Sequence, residues 1–192
     1  DNTFVGASAG KEVTTGEGNV LIGKHAAYNM TTAGSNVAVG MSALSSTTTG
    51  PRNVAIGHSA LSGNTTGNNN IGIGVYALAA TTTTNDNTAV GAYALTSNTA
   101  TGNTAFGSDA LRQNTSGASN LACGQNTLKV NTTGANNTAV GSGSLAGNTT
   151  GEQNVSLGKS LYSNTTGSNN IAAGYFALAG NTTANSNIAI GA

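Results

Sequence analysis

One spacing constrains this chain more than any other feature. A glycine closes the pattern Asn-x-x-x-Gly at Gly6, Gly23, Gly40, Gly57, Gly74, Gly91, Gly107, Gly124, Gly141, Gly158, Gly174 and Gly191. The interval is 17 residues at every step but two, Gly91 to Gly107 and Gly158 to Gly174, where it is 16. Asparagine stands four residues before each of these glycines, from Asn2, Asn19 and Asn36 through to Asn187. A fuller copy, Asn53 to Gly67, reads Asn-Val-Ala-Ile-Gly-His-Ser-Ala-Leu-Ser-Gly-Asn-Thr-Thr-Gly. Self-similarity at a fixed short period is the mark of a repeat array in which each unit buries its apolar face against the next.

The unit is not helical. Each copy carries glycines, β-branched residues and Asn-Thr-Thr-Gly punctuation, all weak in helices. Two short strands per copy are expected, one before the motif glycine and one over the Ala-Leu stretch, with turns at the glycine and at Thr-Thr-Gly. That predicts an all-β fold, a parallel β-solenoid or β-roll of about twelve 17-residue coils. At one strand spacing per coil it extends roughly 55 Å. The whole of 1–192 reads as a single repeat domain. Because it begins and ends inside a motif, at Asn2 and Gly191, it reads as a segment of a longer fibre. The stacked asparagines are expected to form an amide ladder along one corner.

Composition decides between order and disorder. Charged residues are only 6% of the chain, against about 25% in an ordinary soluble domain. Low hydrophobicity favours disorder when net charge is high. Here the net charge is zero, and the apolar residues keep strict intervals. Six scattered basic residues offer no footprint for nucleic acid. No apolar run reaches the roughly 20 residues of a membrane-spanning helix.

Within the first strand, large residues alternate with small ones. Val37 and Val39, Val54 and Ile56, and Ile188 and Ile190 share one face, because successive strand side chains point to opposite sides. The residue between them is mostly alanine: Ala38, Ala55, Ala89, Ala105, Ala122, Ala139, Ala172 and Ala189. One parity puts the large residues inside with the leucines Leu44, Leu61, Leu78 and their counterparts. The alanines then form an outer strip, which is taken as the inter-chain interface. The reverse parity satisfies the same pattern. Either way, a strand apolar on both faces needs cover on both, and a homotrimer is the simplest arrangement that supplies it. Cys123 occupies the slot of Val and Ile elsewhere and reads as a small buried hydrophobe.

The segments Asn36-Val-Ala-Val-Gly40, Asn53-Val-Ala-Ile-Gly57 and Asn187-Ile-Ala-Ile-Gly191 resemble the head repeats of YadA-like trimeric autotransporter adhesins. The longer unit, Asn-Thr-Ala-Val-Gly-x-x-Ala-Leu followed by Asn-Thr-Thr-Gly, is similar to repeats of phage-type tail fibres. The resemblance covers the whole chain, although the unit is longer than the adhesin head repeat. It implies a left-handed parallel roll, a trimer and attachment to host surfaces. It also implies an extracellular, cell-surface or virion location.

Chemistry has little foothold. Asp1, Glu12, Glu17, Asp86, Asp109 and Glu152 fall at scattered offsets, so no carboxylate pair recurs for acid–base work. No enzyme, cofactor or metal site is expected. The position dictated least by the scaffold is the pair after each motif glycine. Tyr76 and Tyr93 occupy equivalent slots on successive coils, with His58, Tyr175 and Phe176 in the same band. These five are the expected ligand-binding residues, suited to a host-cell glycan or protein. The alternative is ice binding through the threonine column that runs from Thr14, Thr31 and Thr48 through to Thr182.

Overall fold

In the computed structural model, which describes residues 1–191, twelve three-residue strands form one parallel sheet in chain order. They are β1 (Thr3–Val5), β2 (Val20–Ile22), β3 (Val37–Val39), β4 (Val54–Ile56), β5 (Ile71–Ile73) and β6 (Thr88–Val90). The sheet continues with β7 (Thr104–Phe106), β8 (Leu121–Cys123), β9 (Thr138–Val140), β10 (Val155–Leu157), β11 (Ile171–Ala173) and β12 (Ile188–Ile190). The chain is an all-β parallel solenoid of about 11 turns. Like residues stack on like: Val37, Ala38 and Val39 face Val54, Ala55 and Ile56. The two 16-residue steps keep this register, Thr88 pairing with Thr104 and Val155 with Ile171. Each missing residue comes out of a turn. Asn98 to Asn103 is one residue shorter than Asn64 to Asn70, and Gly158 to Leu161 is one shorter than Gly57 to Leu61.

The parity of the strands reverses the expected one. Ala38, Ala55, Ala89, Ala105, Ala122, Ala139 and Ala172 are fully buried inside their own chain, and Ala189 is partly so. They cannot form an inter-chain strip. The large residues on either side point outward instead. The reason is width, because a coil carrying one three-residue strand leaves room only for an alanine opposite a leucine. The first coils show this compensation directly. There Gly10 and Ala27 fill the leucine slot, and the larger Phe4 and Leu21 fill the alanine slot. A Cβ on Gly10 would sit 2.8 Å from Leu21 Cδ1 and 2.9 Å from Phe4 Cζ. Cys123 shares the outward position and is exposed, against the expectation of burial.

The second expected strand does not form. The Ala-Leu stretch is a run of overlapping four-residue turns, with Ala43 N–H donating to Gly40 O, Ser45 to Ser42 O and Thr47 to Leu44 O. Such a run is held by left-handed residues at alternate positions, Ser42 at φ 57° and Leu44 at φ 52°. A left-handed leucine costs about 1 kcal/mol or more. Leu44, Leu61, Leu78, Leu95, Leu111, Leu128, Leu145 and Leu161 offset that by complete burial, about 2 kcal/mol each.

Two asparagine columns flank this narrow core. In the first, expected from the sequence, Asn19 Oδ1 accepts both the backbone N–H of Asn36 at 2.9 Å and its side-chain amide at 3.3 Å. The same pair of bonds recurs along the column to Asn187, except at Asn103, whose Nδ2 donates to Asn98 Oδ1 instead. The second column is the Asn of Asn-Thr-Thr-Gly. Asn131, Asn148 and Asn164 each donate Nδ2 to the Oδ1 of the asparagine one coil back, at 2.7–2.9 Å. Both columns converge on one carbonyl: Gly151 O accepts Asn137 Nδ2 and Asn148 Nδ2, each at 2.9 Å. The glycine is required by crowding, since a Cβ on Gly134 would lie 2.6 Å from Asn131 Oδ1.

At Thr81 the second column breaks, and Asn64 Oδ1 is buried with no partner. The same turn has Thr84 where most other coils have glycine. The pair Thr81→Asn with Thr84→Gly should therefore stabilise the chain by about 1 kcal/mol, the usual worth of satisfying a buried acceptor. Thr81→Asn alone should not, because the Thr84 Cβ crowds the new amide. Urea melts of both singles and the double check this, and additive effects would refute the coupling. Ala139→Leu should cost about 2–3 kcal/mol in the same assay through overpacking. An unchanged melt would contradict alanine-inward parity.

Candidate functional site

The motif glycine turns the chain at φ near 130°, and the second residue after it is left-handed. Most coils place a residue tolerant of that conformation there, such as Ser42, Ser59, Asp109, Asn126 or Gly143. Tyr76 at φ 56°, Tyr93 at φ 59° and Phe176 at φ 62° also adopt it. For a bulky side chain this is strain of about 1 kcal/mol or more. Burial offsets it only in part, since Tyr76 is 37% and Tyr93 39% exposed. The backbone does not ask for tyrosine here.

The two rings stack, with centroids 5.7 Å apart and planes inclined by 17°. The His58 ring meets Tyr76 edge-on at 5.2 Å. At the other end the Arg112 guanidinium lies 5.3 Å from the Tyr93 ring centroid while donating to Asp109 at 3.1 Å. His58, Tyr76, Tyr93 and Arg112 thus form a continuous stair along one edge of the solenoid. Equivalence of the variable slots anticipated the first three. Arg112 was missed because it comes from a later position in its coil.

Tyr175 and Phe176 do not join this stair. They pack on each other at 4.3 Å, several coils further along. Lys159 is the link to their surroundings, its Nζ 5.2 Å from the Phe176 ring and 5.0 Å from that of Tyr162. Beside them lies a groove of about 840 Å³, lined among others by Asn126, Lys129, Ser142, Lys159, Tyr162 and Tyr175. At the opposite end, Lys11 donates to the Tyr28 hydroxyl at 2.7 Å. That bond holds its pKa above the usual lysine value.

The outward columns of the sheet form a second surface. Ile22, Ile56, Phe106, Val140 and Leu157 on one column, with Ile71, Leu121 and Ile171 on the other, are each 36–43% exposed. The threonine column lies elsewhere, in bends. Its hydroxyls are turned along the axis: Thr14, Thr31, Thr48 and Thr65 Oγ1 each donate to the threonine carbonyl one coil on, at 3.0–3.2 Å.

Among the described residues no three His, Cys, Asp or Glu side chains converge on a point. No helix there is long and apolar enough to cross a membrane. Comparison with family models, curated proteins and solved structures finds no match to this chain, so its own geometry carries the functional reading.

Proposed function

We propose that this chain is a structural and adhesive fibre segment without catalytic activity. It assembles as a homotrimer and presents an attachment surface to host-cell glycans or proteins, at a cell surface or on a virion. The observation that carries this reading is the uncovered outer face of the sheet. Two columns of mainly β-branched side chains run its whole length, leaving on the order of 1,000 Å² of largely apolar surface. Monomers rarely leave so long a strip bare, and a stable association needs about that much. Three copies related by a fibre axis close such faces on one another, consistent with the left-handed, trimeric roll that the resembling repeats imply.

The stair of His58, Tyr76, Tyr93 and Arg112 supplies attachment. Strained, exposed aromatics are retained for what they touch, because they do not serve the backbone. Aromatic faces suit the C–H faces of sugars and apolar protein contacts. Ice binding through the threonine column is the weaker reading, since its hydroxyl donors are spent on the neighbouring coil.

Assembly is tested by sedimentation mass. The wild-type chain should run as a trimer, and Val140→Lys with Leu121→Lys should give a folded monomer. Thiol labelling gives a second reading: Cys123 should react slowly in the trimer and quickly in that monomer. A wild-type chain that stays monomeric at high concentration ends the trimer proposal. Attachment is tested separately. Tyr76→Ala with Tyr93→Ala should reduce cell binding at least tenfold while leaving the melting temperature within a few degrees. Unchanged binding removes the stair as the site. Thermal hysteresis in the pure protein would favour ice binding instead.

A further inference from the structure

The groove near Lys159 is built from missing atoms. The coil after Gly141 is the barest in the array, with Gly143, Ser144, Ala146 and Gly147 where neighbours carry larger groups such as Lys129 and Val130. The next coil lacks one residue between Gly158 and Leu161, and its turn is altered. Gly158 has φ 87°, against about 130° in most other coils. Tyr162 and Lys159 lean over the gap, where a Cβ on Gly143 would lie 3.6 Å from Tyr162 Cε2 and 3.7 Å from Lys159 Cε. A buried serine cluster begins at Ser144, next in the chain to the lining residue Gly143. Ser144, Ser156 and Ser160 are fully buried and bonded Oγ to Oγ at 2.6 and 2.7 Å. Elsewhere alanines usually fill those positions.

The lining is chemically one-sided. Lys129 and Lys159 both face it, and no aspartate or glutamate is among its residues. Neither lysine takes part in an ion pair, the two pairs among described residues being Lys11 with Glu12 and Arg112 with Asp109. Tyr162 and Tyr175 present rings that are 44% and 63% exposed. Two cations outside any ion pair and two partly exposed rings make a site for a ligand with anionic groups and C–H faces. The volume falls within the roughly 300–1,000 Å³ of small-molecule sites.

We infer that this groove binds a short acidic saccharide, with its carboxylates on Lys129 and Lys159 and its ring faces on Tyr162 and Tyr175. This deepens the attachment reading by naming a ligand class at a place separate from the tyrosine stair.

The test is calorimetric titration of the wild-type chain with a galacturonic acid trisaccharide, a neutral galactose trisaccharide and a triglutamate peptide. The uronate should bind, weaken as salt rises, and bind at least tenfold more tightly than either control. Lys129→Gln with Lys159→Gln should lose at least tenfold in uronate affinity. Asn126→Asp, which keeps a residue tolerant of the left-handed turn and adds a negative charge, should lose as much with an unchanged melt. No uronate binding by wild type, equal binding of any control, or full affinity in the lysine double variant overturns the inference. Soluble ligand is read directly, so the result is distinct from failure to trimerise or to attach to cells.

Discussion

The carboxamide of the motif asparagine holds one coil to the next, and everything else in this fold follows from it. Its oxygen accepts two bonds from the asparagine above, and its nitrogen reaches a carbonyl of that coil, as Asn53 does with Gly67 O at 2.9 Å. A buried amide left unpaired costs about 1–3 kcal/mol, so no coil can lose its asparagine without exposing a defect in two neighbours. This makes the array a chain of nearest-neighbour contacts. It also explains why length can change in a turn but not in the strand. Both 16-residue coils keep the asparagine column in step, Asn103 N–H still donating to Asn87 Oδ1 and Asn170 N–H to Asn154 Oδ1, each at 3.0 Å.

With polar columns along the corners, little width remains for apolar side chains. The interior takes an alanine from the strand and a leucine from the turn run, and it admits larger residues only by exchange. Leu21 enters where Gly10 and Ala27 give way, and three serines enter together where one alone would lack partners. The bulky members of each strand are consequently expelled to the outer face. The uncovered apolar strip is the geometric remainder of a coil too narrow to hold its own large residues.

Periodicity was enough to read the parallel stacking, the register and the first asparagine ladder, because each depends only on which residue lies one period away. It could not settle the parity. Alternation defines two faces but not the width between them, and here width decides. The turn run over Ala43 and Leu44 was also illegible, since leucine in the left-handed region contradicts its own propensity and is sustained only by burial. Among candidate sites, the stacking of Tyr76 on Tyr93 could be read from their equivalent slots. The groove could not, because it consists of absent side chains at Gly143 and Gly147 and one residue missing from a turn.

Scaffold and the proposed contact edge are therefore written in different columns of the same repeat. Where backbone geometry rules, the residue is asparagine, glycine, alanine or leucine, and its reason lies within one coil of it. At the second residue after the motif glycine, geometry asks only for a left-handed turn, which serine, asparagine, aspartate or glycine meets at least cost. Tyrosine there carries the left-handed cost and still leaves more than a third of its surface in water. An array this repetitive has many copies of that slot, and a costly residue in two successive copies, with His58 and Arg112 closing its ends, is the ground on which that edge is proposed as the attachment surface.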